Sequence, residues 1–247
     1  MRIVAQHCSA SDVVGMRELY QHECRCQVIA YSMLPRGLAD SWSIVVGGTM
    51  VGYAGIWNKH YPGRVSEFYV IPAYRSLQDE LFQAFLLTAT PIEIGAQTNI
   101  PHMATLLYDY CDSISQKNVL FQYDNHPGLA LSGATLQICD DSANEWLLQR
   151  EEQIMAKGGI LHHYNAPYSD LYMEVFPQFR RLGAGSYLVQ ELAARCWQLG
   201  RIPCARCNVD NSASRRTLRR AGLRCCGYNL AGKIAYERLT PLVQSPE

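Results

Sequence analysis

Residues Val175–Trp197 read VFPQFRRLGAGSYLVQELAARCW. An apolar strand end runs into a turn of two arginines and two glycines. An amphipathic helix follows, with Leu188, Leu192, Cys196 and Leu199 recurring on one face and Gly200 after them. Glycine permits positive φ and close backbone approach, so several backbone N–H groups of such a turn can point into one space. The helix N-terminus adds roughly half a positive charge there. The stretch therefore predicts a strand, an anion cradle after Arg180 and a helix.

Downstream, IPCARCNV reads as a strand and NSASRRTLRRAG as a short helix capped by Asn211 and closed by Gly222. LRCCGYNLAGKIAYERL reads as two final strands joined near Ala231-Gly232. Upstream, GILHHYN and DLYMEVF read as strands, after a short strand at Ala134–Cys139 and a helix around Ala143–Lys157 stopped by Gly158 and Gly159. Asp124–Thr135 gathers Pro, Gly, Asn and Ser without periodicity and reads as a linker. Before it come a helix from Asp12 to about Cys26, the hairpin SWSIVVGGTMVGYAGIW, the strand RVSEFYVIP and the helix SLQDELFQAFLLTA.

The chain also repeats itself. Val70-Ile71-Pro72-Ala73-Tyr74-Arg75 aligns step by step with Val175-Phe176-Pro177-Gln178-Phe179-Arg180, and Asn99 precedes a helix much as Asn211 does. Gly183 and Gly185 then correspond to Gln78 and Glu80, which puts a carboxylate where an anion would approach. Two tandem domains are expected, 1–125 and 126–247, the first keeping the fold without the anion site. The pattern of strands and helices predicts an α/β class with a mixed sheet.

Composition narrows the function. The 247 residues are 48% hydrophobic and 18% charged with zero formal net charge, which suits a folded protein and disfavours a general nucleic-acid or anionic-membrane binder. From Arg180 to Arg238, however, basic residues far outnumber Glu191, Asp210 and Glu237, which suits a small phosphorylated ligand. No apolar run approaches the roughly 20 residues of a membrane span, and MRIVAQHCSASD lacks the features of a secretion signal, so a cytoplasmic protein without a membrane partner is expected. The ten cysteines are expected to be reduced. Cys204 and Cys207 point to opposite faces of a strand, as do Cys225 and Cys226, which argues against zinc; no metal is expected.

Arg180-x-x-Gly183-x-Gly185 followed by Asn211-x-x-Ser214-x-x-x-Leu218-x-x-x-Gly222 resembles the GNAT superfamily of acyl-CoA-dependent N-acyltransferases, clearly over about 160–240 and faintly before. The resemblance implies a mixed twisted sheet with two central strands splayed around acetyl-CoA as co-substrate. It implies that the amides of Arg181, Leu182, Gly183, Ala184, Gly185 and Ser186 hold the pyrophosphate beside the Arg180 side chain. It further implies that the backbone of Glu174, Val175 and Phe176 pairs with pantetheine and that Asn211 and Ser214 line the cofactor arm. Arg215, Arg216 and Arg219 stand near the adenosine phosphates on this reading, or form a solvated helix face.

The implied reaction is direct attack of a small-molecule primary amine on the thioester; two copies in one chain can replace the dimer interface of single-domain relatives, so a monomer with an intramolecular pseudo-dimer is expected. Many relatives carry a proton-donating tyrosine where this chain has Leu218, and Tyr228 is the substitute candidate. Glu174 ranks first as general base, ahead of Asp170 on the same strand face and of His162 or His163. Two other readings stay open: a silent acyl-CoA sensor, and an acyltransferase acting on a protein or carrier.

Overall fold

The computed structural model describes residues 2–139 and 142–239. In chain order they form β1 (Ile3–Cys8), α1 (Val14–Glu23), β2 (Ala39–Val46), β3 (Thr49–Trp57), β4 (Arg64–Val70), α2 (Gln78–Ala89), β5 (Glu93–Gln97), α3 (Pro101–Tyr110) and β6 (Cys111–Tyr123). There follow β7 (Ala134–Cys139), β8 (Ser142–Arg150), β9 (Gln153–Leu161), β10 (Tyr168–Val175), α4 (Ala184–Gln198), β11 (Ile202–Asn208), α5 (Ser212–Arg220) and β12 (Leu223–Ile234). Among the described residues no helix is long and apolar enough to cross a membrane.

The chain divides into two compact units, one of residues up to 116 together with those from 229 onward, the other of Lys117–Tyr228. This corrects the boundary expected at 125/126. Residues 118–122 of β6 pair with β11, so the second unit begins before the Pro/Gly-rich loop. Asn229–Lys233 of β12 pair with Gln97–Glu93 of β5, so the latter part of β12 returns to the first unit. A linker composition marks an irregular segment; it carries no information about which strand a neighbouring segment joins.

In the first unit the strands run in the order β1-β2-β3-β4-β5-β12. Gly47 and Gly48, with φ of 56° and 86°, turn β2 into β3 as the hairpin pattern required. Leu81, Phe82, Phe85 and Leu86 recur at helical spacing and bury one face of α2, with the Phe82 ring edge-on to Phe68 of β4 at 4.7 Å. On the opposite face of β4, Arg17 of α1 donates from Nε to Glu67 at 3.1 Å, and Tyr53 donates to the same carboxylate at 2.7 Å.

In the second unit the order is β6-β11-β10-β9-β8-β7, and Leu188, Leu192 and Cys196 pack α4 against Met155, Ala156, Ile160 and Leu171. The helix expected around Ala143–Lys157 is instead the β8–β9 hairpin. Glu151 and Glu152 form its turn, with φ of 50° and 65°. Two glutamates there supply none of the Asn-Gly or Gly-Gly signal that marks such turns, and Gln- and Glu-rich flanks imitate a helix. Gly158 and Gly159 lie inside β9. Likewise β12 is one continuous strand, not two: a Cβ on Gly232 would sit 2.7 Å from that of Cys111, so this glycine serves close packing and no turn.

Candidate functional site

Within the second unit, β10 and β11 run parallel and pair only from Tyr168↔Ile202 to Leu171↔Ala205. Beyond Leu171 they part, while β10 stays paired with β9 through Val175↔Ala156. The Phe176 N–H bonds the Met155 carbonyl at 3.0 Å, so by strand alternation the amides of Met173 and Val175 face the opened side. This refines the expected backbone contact at Glu174–Phe176: Val175 presents its amide to the gap, joined by Met173, whereas Phe176 is committed to β9. The Val175 carbonyl accepts from Arg180 Nε at 3.3 Å.

A cleft of about 920 Å³ opens at this edge, lined by Met173, Glu174, Val175, Phe179, Arg180, Arg181, Gly183, Ala184, Gly185, Ser186, Asn211, Ala213, Ser214, Arg216, Thr217 and Arg220. All lie in the second unit. Of the expected cofactor residues, Phe176 and Leu182 are outside the lining, and Leu182 is exposed.

The two glycines serve different needs. Gly183 precedes α4 with φ of +86°, and a Cβ there would meet nothing within 4 Å; the requirement is conformational. Gly185 is helical, and a Cβ there would lie 3.0 Å from Val175 Cγ2 and 3.2 Å from Thr217 Cγ2. Its missing side chain lets α4 approach both β10 and α5. Arg181 also takes a left-handed conformation at φ 64°, which costs an L-residue roughly 1–2 kcal/mol. No side chain caps the N-terminus of α4, and its first helical bond runs from the Tyr187 N–H to the Gly183 carbonyl. The amides of Ala184, Gly185 and Ser186 therefore point at the cleft mouth with the helix dipole behind them.

The facing wall is α5. Asn211 caps it, its Oδ1 accepting from the Ser214 N–H at 2.9 Å, a bond typically worth about 1 kcal/mol. Ser186 Oγ donates to the Thr217 carbonyl at 3.3 Å and ties the two helices together. Ala213, Thr217 and Arg220, which no motif marks, share a helical spacing with Arg216, and that periodicity is the one sequence signal for them. Of the three α5 arginines expected near the adenosine phosphates only Arg216 lines the cleft; Arg215 donates to the Val209 carbonyl at 3.3 Å and Arg219 lies outside, while Arg220 joins. Arg180, Arg181, Arg216 and Arg220 thus surround a space into which uncapped amides point, a chemistry that fits a diphosphate.

The proton-transfer candidates separate. Glu174 lines the cleft, its side chain 61% exposed, with Lys157 Nζ at 3.6 Å. Asp170 is buried against Arg206 at 3.4 Å, where β10 and β11 are still paired. His162 Nδ1 lies 2.9 Å from Ser169 Oγ, and burial together with nearby Arg201 holds its pKa below the ordinary value. Tyr228 packs against the unit's core and is outside the cleft lining, and Leu218 is buried in that core. Among the described residues no group of three or more His, Cys, Asp or Glu could hold a metal ion.

The first unit repeats this architecture, its strands again parting after a short parallel pairing, but with a segment of its own chain drawn against β5. Its β4 and β5 pair in parallel only at Arg64↔Glu93 and Val65↔Ile94. Arg75, matching Arg180, donates from Nε to the Val70 carbonyl at 3.2 Å, but its Nη2 is bound by Glu23 of α1. Gln97 Oε1 accepts from the Ile29 N–H at 2.7 Å and its Nε2 donates to the Gln27 carbonyl at 2.7 Å, drawing the chain's own segment onto β5. Asp79 and Glu80 occupy the first turn of α2. Glu23 and an acidic helix start stand where the second unit presents bare amides and an arginine with no carboxylate partner among the described residues.

Residues 147–228 match the family described as FR47-like protein. No curated protein matches the chain by sequence. A GNAT-family acetyltransferase from Colwellia psychrerythraea superposes with a TM-score of 0.78 at 15% identity, over 95% of this chain and 100% of its own. A tandem GNAT protein from the clavulanic acid biosynthesis pathway gives 0.60 at 13% identity, over 94% and 98%. A GCN5-related N-acetyltransferase from Sphaerobacter thermophilus gives 0.57 at 13% identity, over 94% and 95%. The chain has the GNAT fold.

Proposed function

We propose that this protein is an acyl-CoA-dependent N-acyltransferase, with acetyl-CoA as donor, a primary amine as acceptor and one cofactor cleft, in the second unit. One observation carries the reading: the unpaired β10 edge and the uncapped start of α4 open into the same cleft, ringed by Arg180, Arg181, Arg216 and Arg220. The amides of Ala184, Gly185 and Ser186 would hold the diphosphate and the β10 edge the pantetheine amides. When bound, the cofactor supplies a thioester whose acyl carbon takes the new C–N bond as its C–S bond breaks.

The chain's own residues supply the rest. The Met173 or Val175 N–H, facing the gap, is placed to donate to the carbonyl oxygen as charge develops on it. Glu174, at the mouth, is placed to take the ammonium proton directly or through water. Neither Leu218 nor Tyr228 offers an acid to the departing sulfur from within the cleft, so the thiol leaves as thiolate, tolerable for a group with a pKa near about 8.5.

Thiol release from acetyl-CoA over a panel of amines tests this. Turnover that falls with Glu174→Gln supports it. Binding of acetyl-CoA without release on any amine would favour the sensor reading, which the missing acid makes the second choice.

A further inference from the structure

The repeat allows each unit to be read against the other. With Val70 matching Val175, Glu67 and Tyr69 of β4 correspond to Tyr172 and Glu174 of β10. In the first unit this sheet face is roofed by α1: Arg17 binds Glu67, Tyr20 packs edge-on to Tyr53 and tilted against Tyr69, and Glu23 accepts from Tyr69 at 2.6 Å. Glu67 is 0% and Tyr69 3% exposed. In the second unit the roofing helix is missing from the sequence itself, since only two residues separate β7 from β8. Tyr172 is accordingly 38% exposed and the Glu174 side chain 61%.

The uncovered face carries charged and polar side chains around Leu147, which pairs with Lys157. Tyr172 reaches across Gly159, where any side chain would collide with its ring, and donates to Glu145 at 2.7 Å. One residue row nearer the cleft, Lys157 faces Glu174. Carboxylate, ammonium and phenol alternate on a surface that continues into the cleft at Glu174. A small amine placed there would be enclosed on one side only, whereas small-molecule sites bury most of their ligand. An acceptor that brings its own backbone and neighbouring side chains would cover the face and satisfy its polar groups.

We propose that the exposed face of β8, β9 and β10 is the acceptor site and that its substrate is the amine of a lysine side chain on an extended polypeptide segment, in place of the small molecule expected from the sequence. The proposal rests on the acyl-CoA reading above. The amine nitrogen bonds the acyl carbon, the C–S bond breaks with its electrons to sulfur, and the amine proton passes toward Glu174 or water.

The test compares two acceptors with the same amine: a pool of synthetic peptides randomised around one central lysine, and N-acetyl-lysine methylamide. With acetyl-CoA and the full chain, kcat/KM for the peptides should exceed that for the small acceptor by about 30-fold or more, because contacts remote from the amine act only on the longer acceptor. Glu145→Lys should bring that ratio toward one by raising the peptide KM. Equal turnover of both acceptors, or a ratio unmoved by Glu145→Lys, overturns the proposal while leaving the acyltransferase reading intact. So does acetyl-CoA binding, measured separately by calorimetry, with turnover of neither. Absence of acetyl-CoA binding is the failure of the underlying reading.

Discussion

Arg180 donates from Nε to the carbonyl of Val175 at 3.3 Å, and Arg75 does the same to Val70 at 3.2 Å in the matching position of the first unit. The same bond thus shapes both strand-to-helix turns, and what differs is the far end of the guanidinium. Arg75 holds Glu23; Arg180 has no carboxylate within 4 Å among the described residues. Arg180→Met should lower acetyl-CoA affinity by about tenfold, the scale of one charge-assisted hydrogen bond. Arg75→Met should leave affinity unchanged and cost at most about 1 kcal/mol, because its ion pair is solvent-exposed. Calorimetry and denaturant unfolding on the two variants separate these effects.

Gly183→Ala and Gly185→Ala should fail differently. The first forces an alanine to φ of +86° with open space around it, costing about 1 kcal/mol of stability and weakening acetyl-CoA binding through the altered turn. The second presses a methyl onto Val175 and Thr217, costing about 1–3 kcal/mol. A larger fall in melting temperature for Gly183→Ala than for Gly185→Ala would contradict the separate roles assigned to them.

In the first unit, Glu67 is fully buried, and the attraction and hydrogen bonds of Arg17 work against the burial that raises its pKa. Arg17→Met strands a buried carboxylate and should cost about 3–5 kcal/mol. Adding Glu67→Gln should restore part of that loss. A double-mutant cycle with additive terms would show the pair to be independent.

Two histidines bear on pH dependence. Burial holds His102 below the ordinary imidazole value in the first unit, and burial with Arg201 does the same for His162 in the second. With folded-state values below the unfolded one, the stabilisation is present above about pH 6.5 and is lost as pH falls through that value toward the folded pKa. Imidazole C–H resonances should therefore titrate below about 6.5, and unfolding free energy should decline on acidification in that range. Titration at or above the ordinary value would contradict the burial argument.

Much of the site was legible because its residues are local in sequence. The strand, the turn and α4 follow within one stretch, Asn211 caps the helix its motif announced, and Gly183 takes the backbone conformation that only its lack of a side chain makes easy. Arg216 and Arg220 were harder, since a row of arginines on α5 does not reveal which side of the helix meets α4. The β8–β9 hairpin was hidden because its turn is made by Glu151 and Glu152, whose composition favours a helix. The unit boundary was hidden for a different reason: the pairing of Asn229–Lys233 with β5 joins segments more than a hundred residues apart, and no local pattern encodes it.

The most direct test is calorimetric titration of acetyl-CoA into the full chain beside Gly183→Glu, which gives the second turn an acidic residue like those at the start of α2. One cofactor per chain, with binding lost in the variant, is the expected result. Two cofactors per chain, unimpaired binding by the variant or no binding to the wild type would contradict a single cofactor cradle at the start of α4.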